Sequence, residues 1–104
     1  MFGTVCILYP AAGQEAAVLS ALNNWHQAMT TNLGQSIKGF VYRVTESERA
    51  SAGSHELVVA IAFPDQATFD TAMSNRATNP HYQQLLLSLG DEPIFLDGPI
   101  VWSS

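Results

Sequence analysis

His26 is the residue best placed to move a proton in this chain of 104 amino acids. It stands four positions after Leu22, beside a stripe of apolar residues at helical spacing, so its ring points toward whatever that stripe packs on. Imidazole takes up and releases protons near neutral pH, which makes His26 a candidate general acid or base. The alternative is a helix histidine held by one backbone or side-chain partner. Tyr42 and His81 complete the candidate catalytic set. Tyr42 shares a strand face with Phe40 and is either a phenolic donor or a core aromatic. His81 follows Asn79-Pro80 in the first turn of a helix, whose N-terminus attracts an anionic ligand group. Its other role would be to fix the preceding loop. Tyr9 and Tyr82 sit at element ends, where their hydroxyls can reach a pocket mouth. Trp25 is core or pocket wall. Arg43 must find a carboxylate, a ligand or the rim of the sheet, and a surface or interface ion pair is one such outcome. Neighbours on a strand point to opposite faces, so Tyr42 and Arg43 cannot line one pocket from the same side. His55, beside a loop, reads as a solvated edge residue.

One base with a few neutral or cationic donors in an apolar cavity suits proton abstraction from a weak acid and stabilisation of the resulting anion. Other chemistries lack their residues. Histidines at 26, 55 and 81, with no acidic neighbour at ligand spacing, make no recognisable metal site. No glycine-rich nucleotide motif exists, and no nucleophile-elbow sequence supports serine hydrolysis.

The elements that must position these side chains alternate as strand, helix, strand, strand, helix, strand. Strand one runs from about Gly3 to Tyr9 and stops at Pro10-Ala11-Ala12-Gly13. A helix follows from about Gln14 to Thr30, with Val18, Leu22, Trp25 and Met29 as its dry stripe and Ser20, Asn23, Asn24 and Gln27 opposite. Asn32 to Gln35 connects it to strand two, about Ser36 to Thr45. The polar, Gly/Ser/Ala-rich stretch Glu46 to Ser54 is a hairpin loop, and strand three spans about Glu56 to Phe63. Asp65 caps a short helix with Phe69, Ala72 and Met73 inward. Ser74 to Thr78 interrupts it, and Asn79-Pro80 restarts it with Tyr82, Leu85, Leu86 and Leu89 on one face until Gly90. Strand four covers about Pro93 to Leu96 and bends at Asp97-Gly98-Pro99, a turn sequence. Ile100-Val101-Trp102 forms an extended tail.

This order gives a single α+β domain over residues 1–104: a ferredoxin-like βαββαβ fold, a four-stranded antiparallel sheet with its helices on one face. Strands one and three show no polar alternation, the pattern of a sheet covered on both faces. The helices cover only one. About eight apolar side chains at roughly 1.5–3 kcal/mol each would stay in water on the other, a cost comparable to the whole stability of a small domain. A second copy is the expected cover, giving a homodimer joined through the sheet face and the C-terminal tail, with Trp102 as an anchor. The composition agrees, with 47% hydrophobic and only 12% charged residues. A net charge of −5 with four Lys and Arg disfavours nucleic acid and anionic membrane. No apolar run approaches a membrane span, and Met1 leads directly into strand residues without a signal peptide. Cys6 is the lone cysteine, in an apolar run, which fits a reducing cytoplasm.

Four stretches carry a family resemblance across nearly the whole chain. They are Pro10-Ala11-Ala12-Gly13-Gln14, Gly39-Phe40-Val41-Tyr42-Arg43, Phe63-Pro64-Asp65-Gln66-Ala67-Thr68-Phe69 and Asn79-Pro80-His81-Tyr82. The chain resembles the antibiotic-biosynthesis-monooxygenase-like (ABM) domains of the dimeric α/β-barrel superfamily. These are mainly scaffold signatures, bearing on fold before activity. The resemblance implies a dimeric barrel with a pocket between sheet and helices in each subunit. It also implies a monooxygenase that needs no cofactor and acts on a small aromatic or quinol-like molecule. Haem-degrading members use an Asn on strand one, a Trp early in helix two and a His further along it. Here Thr4-Val5-Cys6-Ile7-Leu8 has no Asn, the stretch 69–73 has no Trp, and Leu85-Leu86-Leu87 stands where the His is needed. Two other functions remain open: a non-catalytic binder of a small apolar or aromatic ligand, and an isomerase of a small carbonyl compound.

Overall fold

The computed structural model describes residues 1–45, 56–74 and 76–104. The expected hairpin loop, from Glu46 to Ser54, and His55 lie outside the described residues. Four strands, β1 (Phe2–Leu8), β2 (Lys38–Arg43), β3 (Leu57–Phe63) and β4 (Ile94–Pro99), form one antiparallel sheet in the order β2-β3-β1-β4. Three helices, α1 (Glu15–Leu33), α2 (Gln66–Met73) and α3 (Pro80–Leu87), cover one of its faces, and a 3₁₀ turn at Arg76–Thr78 joins the last two. This is the expected ferredoxin-like arrangement.

Local sequence explains most element ends. Asp65 accepts a hydrogen bond from the Thr68 amide at 2.7 Å and caps α2. Asn79 does the same for α3 from the His81 amide at 2.9 Å, with Pro80 in the first turn. Helix α1 runs three residues past the expected Thr30, to Leu33, because its stop is Gly34, whose φ of 67° is the left-handed conformation that closes a helix.

Two strand boundaries are corrected. Strand β2 is shorter than Ser36 to Thr45, and buried Ile37 lies just before it. Strand β4 does not bend at Asp97-Gly98-Pro99 but continues through all three, with Asp97 opposite Thr4 and Pro99 opposite Phe2. The Thr4 hydroxyl donates to the Asp97 carboxylate at 2.5 Å, so the side chain that favours a turn is used across the ladder instead. Pro99 is tolerated because β4 is an edge strand.

Burial settles which side of each strand meets the helices. Phe2, Thr4, Cys6 and Leu8 of β1 are buried, as are Leu57, Val59 and Phe63 of β3. They pack on Val18, Leu22, Trp25, Phe69 and Leu85. In register with them, Val41 and Arg43 of β2 belong to the helix side. Val5, Ile7, Val58, Phe40, Tyr42 and Leu96 fall on the open side, where Phe40 is 63% and Leu96 57% exposed. The open face is therefore apolar but for Lys38 on the edge strand, and uncovered within one protomer.

Burial pushes the Cys6 thiol up to about 12, an effect Arg76 opposes and Asp97 reinforces. The folded chain keeps this proton at pH values where the unfolded thiol, with an ordinary value of 9.0, has lost it. The native state then binds more protons, so stability falls as pH rises above the ordinary thiol value, by up to about 1.4 kcal/mol per pH unit. Urea melts between neutral and strongly alkaline pH should show this decline, and a Cys6→Ala variant, less stable throughout, should show a shallower one.

Candidate functional site

A cleft of about 280 Å³ opens along the β2 edge, between α1 and the sheet. Helix α1 contributes Leu19, Leu22, Asn23 and His26, and the sheet contributes Gly39, Phe40, Val41, Val59 and Ile61. The residues lie here because the dry stripe of α1 faces the sheet and His26 borders that stripe. Among the described residues the walls are apolar apart from Asn23 and the imidazole.

His26 is half-buried and bonded to the backbone carbonyl of Ile37, with Nε2 2.6 Å from the oxygen. A carbonyl only accepts, so Nε2 carries the hydrogen and Nδ1 of the neutral ring holds the free lone pair. His26 thus has the satisfied backbone partner expected of a structural histidine and also borders a cavity. The bond fixes the tautomer and leaves one nitrogen able to accept a proton.

Gly39, on the cleft wall, lets β2 approach β3 closely. A Cβ there would meet the Ala60 carbonyl oxygen at 2.9 Å and Ile61 Cγ1 at 3.1 Å, closer than packed atoms approach. Gly39→Ala should push β2 away from β3, destabilising the protein by about 1–3 kcal/mol, as other overpacked sites do. A thermal melt measures that loss.

The other sequence candidates are dispersed. Tyr42 is on the open face, stacked on Phe40 at 6.3 Å between ring centroids, so the sheet separates it from His26. Arg43 is on the helix side but exposed, and its guanidinium forms a two-pronged ion pair with Glu15, Nε lying 3.0 and 3.1 Å from the two carboxylate oxygens. It pins the end of β2 to the start of α1 and contributes no wall to the cleft. His81 is half-buried in the first turn of α3 and does not line the cleft. Tyr9 serves through its backbone: its carbonyl accepts the Gly90 amide at 2.7 Å, fastening the end of α3 to the end of β1. Trp25 is core, 5.1 Å from the Tyr82 ring, and with His26 borders a small void beneath the cleft. Tyr82 is buried between Trp25 and Phe95 and does not line the cleft, and burial raises its pKa while Arg76 opposes the rise.

Arg76 was not among the sequence candidates. Its Cζ sits 4.2 Å from the Phe95 ring centroid and 5.6 Å from that of Tyr82. It falls in the interrupted stretch before Asn79, where sequence pattern assigns no direction to a side chain. Among the described residues no group of three or more His, Cys, Asp or Glu could hold a metal ion, and no helix is long and apolar enough to cross a membrane.

No protein-family model and no curated protein matches the chain. Solved structures do match it over essentially their whole length. An antibiotic biosynthesis monooxygenase superposes with a TM-score of 0.60 at 12% identity, covering 97% of this chain and 99% of its own. A dimeric ferredoxin-like protein of unknown function from Jannaschia sp. CCS1 gives 0.64 at 17% identity, with 95% and 98% covered. An uncharacterised NIPSNAP domain protein from Burkholderia xenovorans gives 0.57 at 16%, with 100% and 99% covered. The chain has the ABM-like, ferredoxin-like fold, and at these identities the likeness concerns fold alone.

Proposed function

We propose that the protein works as a homodimer, sheet face to sheet face, and that each protomer takes a small aromatic or quinol-like molecule into the His26 cleft and oxygenates it without a cofactor. The observation that carries this reading is the imidazole itself: a ring with its Nε2–H tied to Ile37, bordering an apolar cleft. Nδ1 would remove a phenolic proton, and the electron-rich anion would react with O₂. One oxygen atom enters the ring and the other leaves as water, so a phenol becomes a quinone and supplies both electrons. The cleft is of the size and apolarity that a single aromatic ring fills. Structural likeness to an antibiotic biosynthesis monooxygenase supports the reaction class, and likeness to a dimeric ferredoxin-like protein supports self-association.

In this reading Tyr42 belongs to the dimer face and His81 to the start of α3, leaving His26 as the catalytic group. Val101 and Trp102, 91% and 79% exposed, extend beyond β4 and would lie against the partner. The lone buried Cys6 fits a reducing cytoplasm.

A second reading, a ligand-binding protein without turnover, is favoured by one specific observation. Among the described residues no Tyr, Lys or Arg lines the cleft, and Asn23 is the only side-chain amide donor there for a bound phenolate. Oxygen consumption over a panel of phenols and hydroquinones, with calorimetry on the same compounds, separates the two. Uptake that saturates with one compound class is the expected result. Saturable binding without uptake selects the second reading, and neither binding nor uptake rejects both.

A further inference from the structure

The 3₁₀ turn before α3 brings Arg76 to the opposite side of the helical layer from His26, with the Trp25–Tyr82 contact between them. Its guanidinium lies over the Phe95 and Tyr82 rings, a contact that satisfies the charge without using up its N–H donors in hydrogen bonds. Among the described residues it has no hydrogen-bonded acceptor and no ion-pair partner, in contrast to Arg43, which holds Glu15. In a chain with nine acidic and four basic residues, an arginine without a carboxylate stands out. These donors border a groove of about 560 Å³ between α3 and β4, with Leu86, Leu89 and Pro93 as its apolar walls. Tyr82 lines the same groove, and its hydroxyl has no protein partner among the described residues. Burial raises its pKa, so it remains a donor at neutral pH.

We propose that this groove is a second binding site, taking a small aromatic carboxylate whose two oxygens meet the Arg76 guanidinium and the Tyr82 hydroxyl. The planar fork of arginine matches a carboxylate, and the apolar walls match a ring. Asp91 and Glu92 line the groove too, and their charge selects a monoanion over a more highly charged phosphate. The site is independent of the reading given to the His26 cleft.

Benzoate is the probe, titrated calorimetrically into the full-length protein at low ionic strength, with inorganic phosphate in a parallel titration. Wild type should bind benzoate saturably, one per protomer, and phosphate more weakly. Arg76→Gln should weaken benzoate at least about tenfold, the usual scale for losing a hydrogen bond to a charged group. Arg76→Lys should keep part of the affinity, and His26→Gln should keep all of it, which separates this site from the cleft. The Asp91→Asn/Glu92→Gln double variant, altered only at exposed positions, should bind benzoate severalfold more tightly even if Arg76→Gln fails to fold. No saturable benzoate binding by wild type overturns the proposal, as do equal binding by a folded Arg76→Gln variant, no gain in the double variant, or phosphate binding tighter than benzoate.

Discussion

His26→Gln is expected to lower oxygen uptake by about 10²–10⁴-fold, the range over which a positioned general base acts. Glutamine is the informative replacement because its amide can still donate to the Ile37 carbonyl, while nothing in it can take a phenolic proton. The melting temperature of His26→Gln should therefore stay close to that of wild type. His26→Asn gives the complementary control, since its shorter amide gives up the reach to Ile37 at the end of the α1–β2 connection. That variant should be less stable by about 1 kcal/mol, with the Ile37 carbonyl left to find another donor. Oxygen uptake by His26→Gln at the wild-type rate would remove His26 from catalysis and leave it as a fastener between α1 and the start of β2.

Leu96→Glu is the second large effect. Leu96 sits on the open face opposite Val5 and is more than half exposed in the protomer, so a glutamate there leaves the protomer's own core untouched. In a two-fold dimer every substitution occurs twice, and the interface would have to desolvate two carboxylates where two apolar side chains met before. Dissociation should become at least about 10²-fold easier, equivalent to roughly 3 kcal/mol. Sedimentation velocity across a dilution series, with circular dichroism on the same samples, should show a folded species of half the wild-type mass. Wild-type protein sedimenting as a protomer at all concentrations would remove the homodimer. A Leu96→Glu protein that still dimerises would place the interface elsewhere.

The order of elements and the apolar open face were legible from residues 5–9, 57–63 and the α1 stripe, since helical spacing and caps such as Asp65 and Asn79-Pro80 act locally. The strand sides were not. β1 and β3 are apolar on both faces, so alternation carries no sign, and in β2 the pair Phe40 and Tyr42 reads as core as readily as Gly39 and Val41. Only the packing of α1 decides, and it sends Tyr42 to the open face, away from His26. The same limit hid the course of β4, because the Thr4 hydroxyl that recruits Asp97 is 93 residues distant. Of the site, His26 and its apolar neighbours were readable from helix geometry. Its bond to Ile37 was named only as a generic partner, because that contact depends on how the connection after α1 returns to the sheet.

The strand order also bears on how the molecule is made. β1 is a central strand, yet its two neighbours are β3 and β4, so the earliest-made of the four strands has no partner until β3 follows. At a synthesis rate of roughly 5–20 residues per second, Phe2–Leu8 waits several seconds for β3 and longer still for β4. Throughout that interval a run of apolar side chains with both backbone edges free is open to wrong partners. Yield in the cell should therefore depend on holding chaperones that shield the waiting β1 segment more than on the stability of the finished protein.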